Sequence, residues 1–539
     1  MSEVSNSLET LTLRPSERTD RDWYILAHGK TTQFYRFTPH SGDTSDRCTL
    51  LWEESNIAQC YTSNSGHQLC IYRSGSTVVE VIDISTRKSV ISIALPHGST
   101  LSGAVFSPKD SYLVIHSTWS EDNPNNLVIY KLNGTTAEVA LSIPYPKSYI
   151  VKRYPLWTPC ETYCVIRVDN SIILWKNDDF SLDGSLGKLQ LADGVDATPL
   201  FPTSSIISLS SVNKKGICYL GIFLPNQKKF DSGIVKIYNI ANLQTPVYDK
   251  LLNHTEEGDF FWNCNGSGVI VRTFTNNVKG LSSYYGGNGL YLVNLTKGNH
   301  RTLMDPSEGL AHDISWSKTS NGVLIVKGSM PSELDLYDGI TGNKTLTFGR
   351  ANRNTIRRDP FDRFMLSAGF GNSSGEIDIW DLKNNRKIAQ SKSDCAVSCE
   401  FSPDGRFFVT ATTVPRMRVN NCFKVFSYGG KLVKQVDFVE LFSVKLLALD
   451  CSYTQRDPSP GACTMLPTVT KSVYRPPGSR GKESTVGITR VAMQNLQAMP
   501  VPRKSGPVLK GPPGADLSLL NAAAKIGKKK KAQLKNASV

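Results

Sequence analysis

Lysine and arginine clusters are the features of this sequence whose residue types and spacing point most directly to chemistry. Six lysines lie in one short segment near the carboxyl end: Lys525, Lys528, Lys529, Lys530, Lys531 and Lys535. Such a segment releases counterions from the phosphate backbone of a nucleic acid, so its binding weakens steeply as salt rises. RNA contact is our interpretation; a solubilising tail or a nuclear import signal is the alternative.

A second set of basic residues lies earlier in the chain. Its members are Arg350, Arg353, Arg357, Arg358 and Arg363, followed by Arg416 and Arg418. If loops on neighbouring structural repeats bring these arginines together, they form one patch that attracts a polyanion. The alternative is that several of them pair with nearby acids, such as Asp359, Asp362, Asp378 and Asp404.

Motifs for catalysis are weak by comparison. Gly29-Lys30-Thr31 match the end of a phosphate-binding loop, but Tyr24 stands where the first glycine belongs, and a strand pattern follows. The eight histidines are scattered singly. We therefore expect no catalytic residues, no cofactor and no enzymatic activity.

The cysteines indicate reduced thiols and not a metal site. Cys160 and Cys164, like Cys395 and Cys399, are four residues apart, which places both members of a pair on one face of a strand. No histidine or second cysteine pair lies near either. We predict buried thiols without a bound metal.

Composition and termini indicate a folded protein. Hydrophobic residues make up 40% of the 539 residues, including 21 Phe, 20 Tyr and 8 Trp, enough for a large core. Residues 1–20 lack a secretory signal, and the longest apolar run, at 217–225, is too short to span a bilayer. We expect a soluble cytoplasmic protein with a flexible segment at 1–20 and no membrane partner.

A repeat of short apolar runs sets the fold class. The runs centre on Tyr35, Ile82, Tyr130, Trp175, Tyr238, Val293, Tyr337, Trp380 and Phe426, at spacings of 47, 48, 45, 63, 55, 44, 43 and 46 residues. An aromatic residue and a polar turn precede each later run, as in VFSPKD and CEFSPDG. Four strands at this period are typical of WD40-like propeller blades. We predict an all-β fold, a single nine-bladed β-propeller over residues 21–451.

The first repeat has only three strands, and the missing one is predicted at the other end of the propeller. The run at 441–450 follows the ninth repeat and has the pattern of an opening strand. If it completes blade one, it closes the ring and removes an exposed sheet edge.

Residues 452–539 form a basic tail by composition. They carry 15 lysines and arginines against 3 acids, which accounts for most of the net charge of +14. Their only aromatics are Tyr453 and Tyr474, too few to bury a core, so we predict disorder. Asp516 as an N-cap, with Leu519 and Leu520 at helical spacing, favours one short helix at 516–535.

Two segments resemble the eukaryotic translation initiation factor 2A family. They are RNTIRRDPFDRFMLSAGFGNSSGEIDIWDLKN at 353–384 and FSPDGRFFVTATTVPRMRVNNCFKVFSYGGKL at 401–432. ELFSV at 440–444 and YRPPGSR at 474–480 continue the similarity. Motif residues matched by position are Arg353, Asn354, Pro415, Arg416, Arg418, Val419 and Asn420. Cys422 stands where the family usually has glycine, which implies a different backbone form in the turn after Asn421.

The resemblance implies a nine-bladed propeller with a flexible basic extension. It also implies a cytoplasmic factor that binds the small (40S) ribosomal subunit and mRNA and promotes delivery of initiator tRNA in non-standard initiation, without nucleotide hydrolysis. Our candidate RNA- and ribosome-binding residues are Arg353, Asn354, Arg416 and Arg418 together with the six tail lysines. We expect a monomer that meets other initiation factors.

A protein-interaction scaffold is the alternative function. The b subunit of translation initiation factor three shares a propeller platform, but the resemblance implies an RNA-recognition domain before it. Only a short segment precedes the first predicted strand here, so this is the weaker match.

Overall fold

Nine four-stranded antiparallel sheets form one β-propeller in the computed structural model, and the predicted all-β fold is confirmed. The structure describes residues 22–39, 47–145, 154–168, 171–176, 179–180, 187–190, 206–225, 232–253, 255–275, 286–414, 416–449 and 453. Across these ranges the one helical element is a 3₁₀ turn at Pro306–Glu308.

Each blade takes four strands that are consecutive in the chain, except blade 1. Blade 1 contains β36 (Leu441–Leu447), β1 (Trp23–Gly29), β2 (Thr31–Phe37) and β3 (Cys48–Ser55). Blades 2 to 4 contain β4 (Ile57–Thr62), β5 (Gln68–Arg73), β6 (Val78–Asp83), β7 (Ser89–Ala94); β8 (Leu101–Phe106), β9 (Tyr112–Ser117), β10 (Leu127–Asn133), β11 (Thr136–Ile143); and β12 (Leu156–Trp157), β13 (Tyr163–Val168), β14 (Ser171–Lys176), β15 (Gly187–Gln190).

The remaining blades follow the same order. Blades 5 and 6 contain β16 (Ile206–Leu209), β17 (Tyr219–Pro225), β18 (Ser232–Asn239), β19 (Tyr248–Asn253); and β20 (Glu257–Trp262), β21 (Gly268–Thr275), β22 (Gly287–Asn294), β23 (Asn299–Met304). Blades 7 to 9 contain β24 (Ala311–Trp316), β25 (Gly322–Lys327), β26 (Ser332–Asp338), β27 (Lys344–Ala351); β28 (Thr355–Arg358), β29 (Phe364–Ala368), β30 (Glu376–Asp381), β31 (Arg386–Lys392); and β32 (Ser398–Phe401), β33 (Phe407–Thr412), β34 (Cys422–Ser427), β35 (Leu432–Asp437).

Burial explains why the sequence repeats as it does. The second strand of a blade lies between two neighbouring sheets, so β33 (FFVTAT) is buried at every position. The fourth strand lies at the outer edge, and β27 (KTLTFGRA) has one buried residue, with the others exposed or partly exposed. The nine run centres all fall on third strands. Several, including Tyr35, Trp380 and Phe426, follow a β-bulge in the pairing with the fourth strand.

The core consists of one apolar cluster at each seam between adjacent blades. The seam of blades 8 and 9, for example, joins Phe364 and Leu366 to Phe401 and Phe408. Among the described residues nine such clusters are present, one for each seam of the ring. The ring is therefore stabilised by burial at every seam and not by one central core.

The ring closes at blade 1 as the sequence predicts. Strand β36 pairs antiparallel with β1, from Tyr24 opposite Leu447 to Gly29 opposite Leu441. The Tyr453 hydroxyl then donates a hydrogen bond to the Asp22 carbonyl oxygen at 2.5 Å. The first and last strands of the propeller thus hold each other in one sheet.

The antiparallel order gives the propeller two distinct faces. Turns between first and second strands, and between third and fourth strands, lie on one face, which we call the hairpin face. Loops between second and third strands, and the links from one blade to the next, lie on the opposite face, which we call the connection face.

Acidic residues on the hairpin face join neighbouring blades. Asp110 accepts hydrogen bonds from the backbone N–H of Asn64 and Ser65 at 2.7 and 2.8 Å, across the seam of blades 2 and 3. Asp362 accepts them from Lys318 and Thr319 at 2.5 and 3.0 Å, across the seam of blades 7 and 8. Charge-assisted bonds of this kind add polar contacts to these two apolar seams.

Candidate nucleic-acid interface

The loop that carries Arg416 and Arg418 is anchored by a buried asparagine. It connects β33 to β34 on the connection face of blade 9. Asn421 is 2% exposed; its Nδ2 donates to the Met417 carbonyl at 2.8 Å and its Oδ1 accepts from the Leu441 N–H at 3.0 Å. The backbone N–H of Val414 also donates to Leu441, at 2.8 Å. The closing strand therefore fixes both ends of this loop.

Arg416 lies against the neighbouring loop of blade 8. Its guanidinium covers Gly371, where an added Cβ atom would stand 2.5 Å from Nη2. Gly371 has a positive φ of 72°, a conformation that glycine adopts without strain. Asn354 holds this second loop, because its Nδ2 donates to the Phe370 carbonyl at 2.8 Å and its Oδ1 accepts from the Phe370 N–H at 3.0 Å.

Arg416 and Arg418 are available to a partner. Both side chains are exposed, and neither forms an ion pair or a hydrogen bond with the described residues. Their guanidinium groups can form bidentate contacts with phosphate oxygens. Arg350, at the end of β27, is exposed and unpaired among the described residues in the same way.

Arg353 has a different environment from the other candidate residues. It is 5% exposed, and its Nε donates to Asp378 Oδ2 at 2.9 Å, with Nη2 on the same oxygen. Its guanidinium carbon is 6.0 Å from the centre of the Trp380 ring. In this conformation the Arg353 side chain forms its hydrogen bonds inside blade 8 and does not reach the surface.

Asp378 is the centre of this buried polar cluster. Its other oxygen, Oδ1, accepts from Gln390 Nε2 at 2.8 Å and lies 3.3 Å from Lys387 Nζ. Burial by itself raises the pKa of Asp378, but the charge and hydrogen bonds of Arg353, followed by Gln390 and Lys387, bring that pKa below its ordinary value. The carboxylate is therefore ionised and holds Arg353 in place.

The other arginines of the predicted patch are paired with acids. Arg357 Nη1 lies 2.9 Å from Asp313, Arg358 Nη1 lies 3.3 Å from Asp362, and Arg363 Nε lies 3.1 Å from Asp381. The structure thus does not gather the set into one patch. Arg353, Arg357, Arg358 and Arg363 are paired, while Arg350, Arg416 and Arg418 remain free among the described residues.

Arg358 replaces an aromatic residue at the end of an inner strand. The equivalent positions carry Phe106 and Phe401, which are buried. Burial lowers the pKa of Arg358, partly offset by the charge of Asp362. Its Nε and Nη2 atoms have no hydrogen-bond partner among the described residues.

Several candidate residues lie outside the described ranges. They are Pro415 and the six tail lysines, Lys525, Lys528, Lys529, Lys530, Lys531 and Lys535. The predicted helix at 516–535, most of the predicted basic tail and the segment at 1–20 also lie outside them.

The remaining sequence motifs lie in turns and loops that connect strands of the propeller. Gly29-Lys30-Thr31 forms the turn between β1 and β2, where the Lys30 N–H donates to the Glu440 carbonyl at 3.2 Å. Gly371, Ser373 and Gly375 spell Gly-x-Ser-x-Gly, but the segment connects two strands, whereas a nucleophile elbow connects a strand to a helix.

The cysteines and the other possible metal ligands do not form a cluster among the described residues. Cys164 and Cys399 are buried, and burial raises the pKa of both thiols. The prediction is wrong for Cys160 and Cys395, which precede β13 and β32 and are only partly buried. Within the described ranges, no three His, Cys, Asp or Glu side chains gather as they would around a metal ion. Cys422 opens β34 in extended form, and the positive φ of this segment, 54°, belongs to Asn420.

Two residues that organise the site were not singled out from the sequence. Asn421 anchors the arginine loop, and Gly371 provides the surface on which Arg416 lies. Gly371 is part of the Leu-Ser-Ala-Gly-Phe-Gly-Asn run within the segment quoted at 353–384, and its glycines are a signal for a constrained backbone.

The described residues contain no helix with the length and apolar composition that a membrane span requires.

A family model and several relatives of this chain share one name. The family described as "Eukaryotic translation initiation factor eIF2A" matches residues 250–444. The fission yeast (Schizosaccharomyces pombe) protein "Eukaryotic translation initiation factor 2A" is 30% identical over 460 residues, covering 80% of this chain and 74% of its own length. The relative of the same name from Dictyostelium discoideum is 26% identical, covering 78% of this chain and 65% of its own length.

A solved structure supports the architecture. The chain titled "Crystal structure of the eukaryotic initiation factor" superposes with a TM-score of 0.62 at 23% identity, over 79% of this chain and 98% of that one. At this identity the likeness concerns the fold.

Proposed function

The chain belongs to the eukaryotic translation initiation factor 2A family, and from that premise we propose that it acts in translation initiation as a cytoplasmic RNA- and ribosome-binding factor. It binds the small (40S) ribosomal subunit and mRNA, and it promotes delivery of initiator tRNA in non-standard initiation without hydrolysing a nucleotide. The propeller is the platform, and the basic tail adds electrostatic attraction. It acts as a monomer and meets other initiation factors on the subunit.

The observation that supports this proposal best is the arginine loop of blade 9. Arg416 and Arg418 are exposed and unpaired among the described residues, yet the loop that bears them is fixed by Asn421 and the closing strand. A cation held in place loses less conformational entropy on binding than one on a loose loop. Arg416 and Arg418 contact phosphate, and the six tail lysines extend the contact along RNA.

Arg353 and Asn354 contribute indirectly in this proposal. Arg353 is neutralised by Asp378 inside blade 8, and both polar atoms of the Asn354 amide bind Phe370. Asn354 therefore positions the loop that contains Gly371, and that loop supports Arg416. We assign both residues to the positioning of the arginines and not to direct contact.

Sedimentation with small ribosomal subunits across a salt series tests the proposal. The full chain is compared with a truncation that ends after Tyr453, since that residue bonds Asp22 and belongs to the closed ring. We expect both to co-sediment at low salt, with a salt dependence that is less steep for the truncation. If neither co-sediments at low salt, the proposal is wrong; if both have the same salt slope, the role given to the tail is wrong.

A protein-interaction scaffold is the second candidate. One observation favours it: Val419 is 62% exposed and Val439 is 83% exposed on segments joined by the Phe438 N–H to Asn421 carbonyl bond. Exposed aliphatic residues beside arginines suit a protein partner as well as RNA. Loss of subunit binding in a Val419→Ser/Val439→Ser variant, with Arg416 and Arg418 intact, would favour this candidate.

A further inference from the structure

Exposed cations line one side of the hairpin face, opposite to the arginine loop. In blades 5 to 9 six stand in turns and one, Arg386, is the first residue of β31; the set is Lys214, Lys215, Lys297, Lys318, Lys383, Arg386 and Lys431. We call this set the basic arc. None of these side chains forms an ion pair or a hydrogen bond with the described residues.

The acids of the same turns face the protein backbone. Five acids lie in these turns: Asp338, Asp359, Asp362, Asp381 and Asp404, and none is exposed. Each accepts a hydrogen bond from a backbone N–H of a turn, as Asp381 does from Lys383 at 3.0 Å and Asp404 from Arg406 at 3.1 Å. The carboxylates are used to build the turns, while the ammonium groups of the arc point outward.

Two buried arginines also neutralise these acids. Arg358 pairs with Asp362, and Arg363 pairs with Asp381. Lys318 and Lys383 donate their backbone N–H groups to these two acids, but their side chains form no ion pair with them. The unusual arginine at position 358 thus helps to leave the lysines of the arc free to attract an anion.

The connection face differs in its charge. It exposes Lys30, Arg350, Lys392, Arg416 and Arg418, but also an array of acids: Glu121, Asp122, Asp305, Glu308, Glu376, Asp394, Asp437 and Glu440. The two faces of the propeller therefore differ in the charge that they present to a polyanion.

We propose that the basic arc binds the sugar-phosphate backbone of base-paired RNA. The arc extends over five blades, so it fits an extended polyanion and not a small anion. Six of its seven members are lysines, which contact phosphate as point charges without reading sequence. The inference depends on the proposed RNA-binding function in general, but not on Arg416 and Arg418.

The kinds of apolar side chain exposed near the arc narrow the class of ligand further. Among the described residues, the exposed large aromatics Trp119 and Phe442 both lie on the connection face. Single-stranded nucleic acid binds by stacking its bases on such side chains, whereas a helix presents phosphates and ribose. The exposed large apolar residues of the hairpin-face turns and turn ends in blades 5 to 9, Val247, Ile340 and Leu432, are aliphatic and stand on different blades. That pattern does not suit a protein hot spot.

Charge neutralisation on the full chain tests the inference. The variant K318Q/K383Q/R386Q/K431Q removes four cations from the arc. Its matched control, K30Q/R87Q/K88Q/R350Q, removes four exposed cations that lie outside both the arc and the arginine loop, so the two proteins have equal net charge. All eight side chains are exposed and unpaired among the described residues. Thermal unfolding is measured to check that both variants fold.

Binding to an RNA duplex of arbitrary sequence is measured across a salt series. We expect the arc variant to bind at least about tenfold more weakly than the control near 0.1 M salt. Its slope of log affinity against log salt should fall by about 3 to 4, close to one per lost phosphate contact. Equal binding by the arc variant and the wild type would overturn the inference. The inference would also be overturned if the arc variant lost affinity only for a single-stranded oligonucleotide or for polyglutamate, and not for the RNA duplex.

A third variant, R416Q/R418Q, separates this inference from the proposed function. If only R416Q/R418Q loses binding to small ribosomal subunits, and the arc variant binds duplex RNA normally, the proposed function stands and the arc inference fails. If the arc variant loses duplex binding while R416Q/R418Q keeps its subunit binding, the arc inference stands and the assignment of Arg416 and Arg418 fails.

Discussion

The guanidinium of Arg416 in blade 9 lies directly on Gly371 in blade 8, at the distance where a side chain on Gly371 would collide with it. This contact joins the two segments that resemble the family. It explains why a glycine-containing loop and an arginine-containing loop occur on successive blades: the absence of a side chain on one gives the other a surface to lie on.

The Gly371→Ala variant should distinguish the effect of moving Arg416 from the effect of a less stable fold. The methyl group would displace Arg416, and alanine at a φ of 72° should cost about 1 to 2 kcal/mol of stability. Gly349→Ala is the matched control, because Gly349 has a φ of 84° and nothing within 4 Å of an added Cβ atom. We expect a similar loss of melting temperature in both, and weaker binding to small ribosomal subunits only for Gly371→Ala. Equal binding by both variants would show that the position of Arg416 is unimportant.

The pair of Arg353 and Asp378 should dominate the stability of blade 8. Arg353→Met leaves a buried carboxylate without its main partner, which should lower the free energy of unfolding by about 3 to 5 kcal/mol. Asp394→Asn breaks the exposed Lys392–Asp394 pair and should leave the free energy of unfolding almost unchanged. Urea unfolding measures both. A small effect of Arg353→Met would place Arg353 among the residues free to bind a partner.

Asp378 should also make stability depend on pH. Its pKa is lower in the folded protein than its ordinary value of 3.8, so the ionised carboxylate stabilises the fold above that value. The stabilisation is lost as pH falls through the lower folded pKa. The difference in unfolding free energy between the wild type and Asp378→Asn should therefore be constant from pH 7 to 5 and shrink below pH 3.8. A difference that grows in acid would contradict the assigned direction.

Closure of the ring should depend on Gly29. An added Cβ atom there would overlap the Glu440 carbonyl oxygen beside the closing strand. Gly29→Ala should cost about 1 to 3 kcal/mol, as overpacking does, and should speed amide hydrogen exchange in β1 and β36. Gly75→Ala, with nothing within 4 Å of the added atom, should leave exchange in β36 unchanged. If amide exchange in β36 of the Gly29→Ala variant is as slow as in the wild type, the contact between Gly29 and Glu440 does not hold the seam.

Strand count, blade count and ring closure followed from the sequence because they depend on local patterns. Apolar runs such as FFVTAT must be buried on both faces, and the three-stranded first repeat requires a partner strand. These features repeat nine times, so a few irregular spacings do not hide them.

The partners of the arginines could not be derived in the same way. Arg353 and Arg416 look alike in sequence, yet one is buried against Asp378 and the other is exposed. The difference arises from the direction of each side chain and from packing between blades. The basic arc was missed because its lysines lie on separate turns, far apart in the chain, and only the propeller brings them to one face.

The central claim is that Arg416 and Arg418 form a fixed, exposed contact for the small ribosomal subunit, and one measurement tests it most directly. The variant Arg416→Ala/Arg418→Ala is titrated against small subunits, beside Arg73→Ala/Arg301→Ala, which removes the same charge from residues that already have partners. We predict binding weaker by about 1 to 3 kcal/mol, roughly 5- to 150-fold, for the first variant alone. Unchanged affinity for Arg416→Ala/Arg418→Ala would contradict the account.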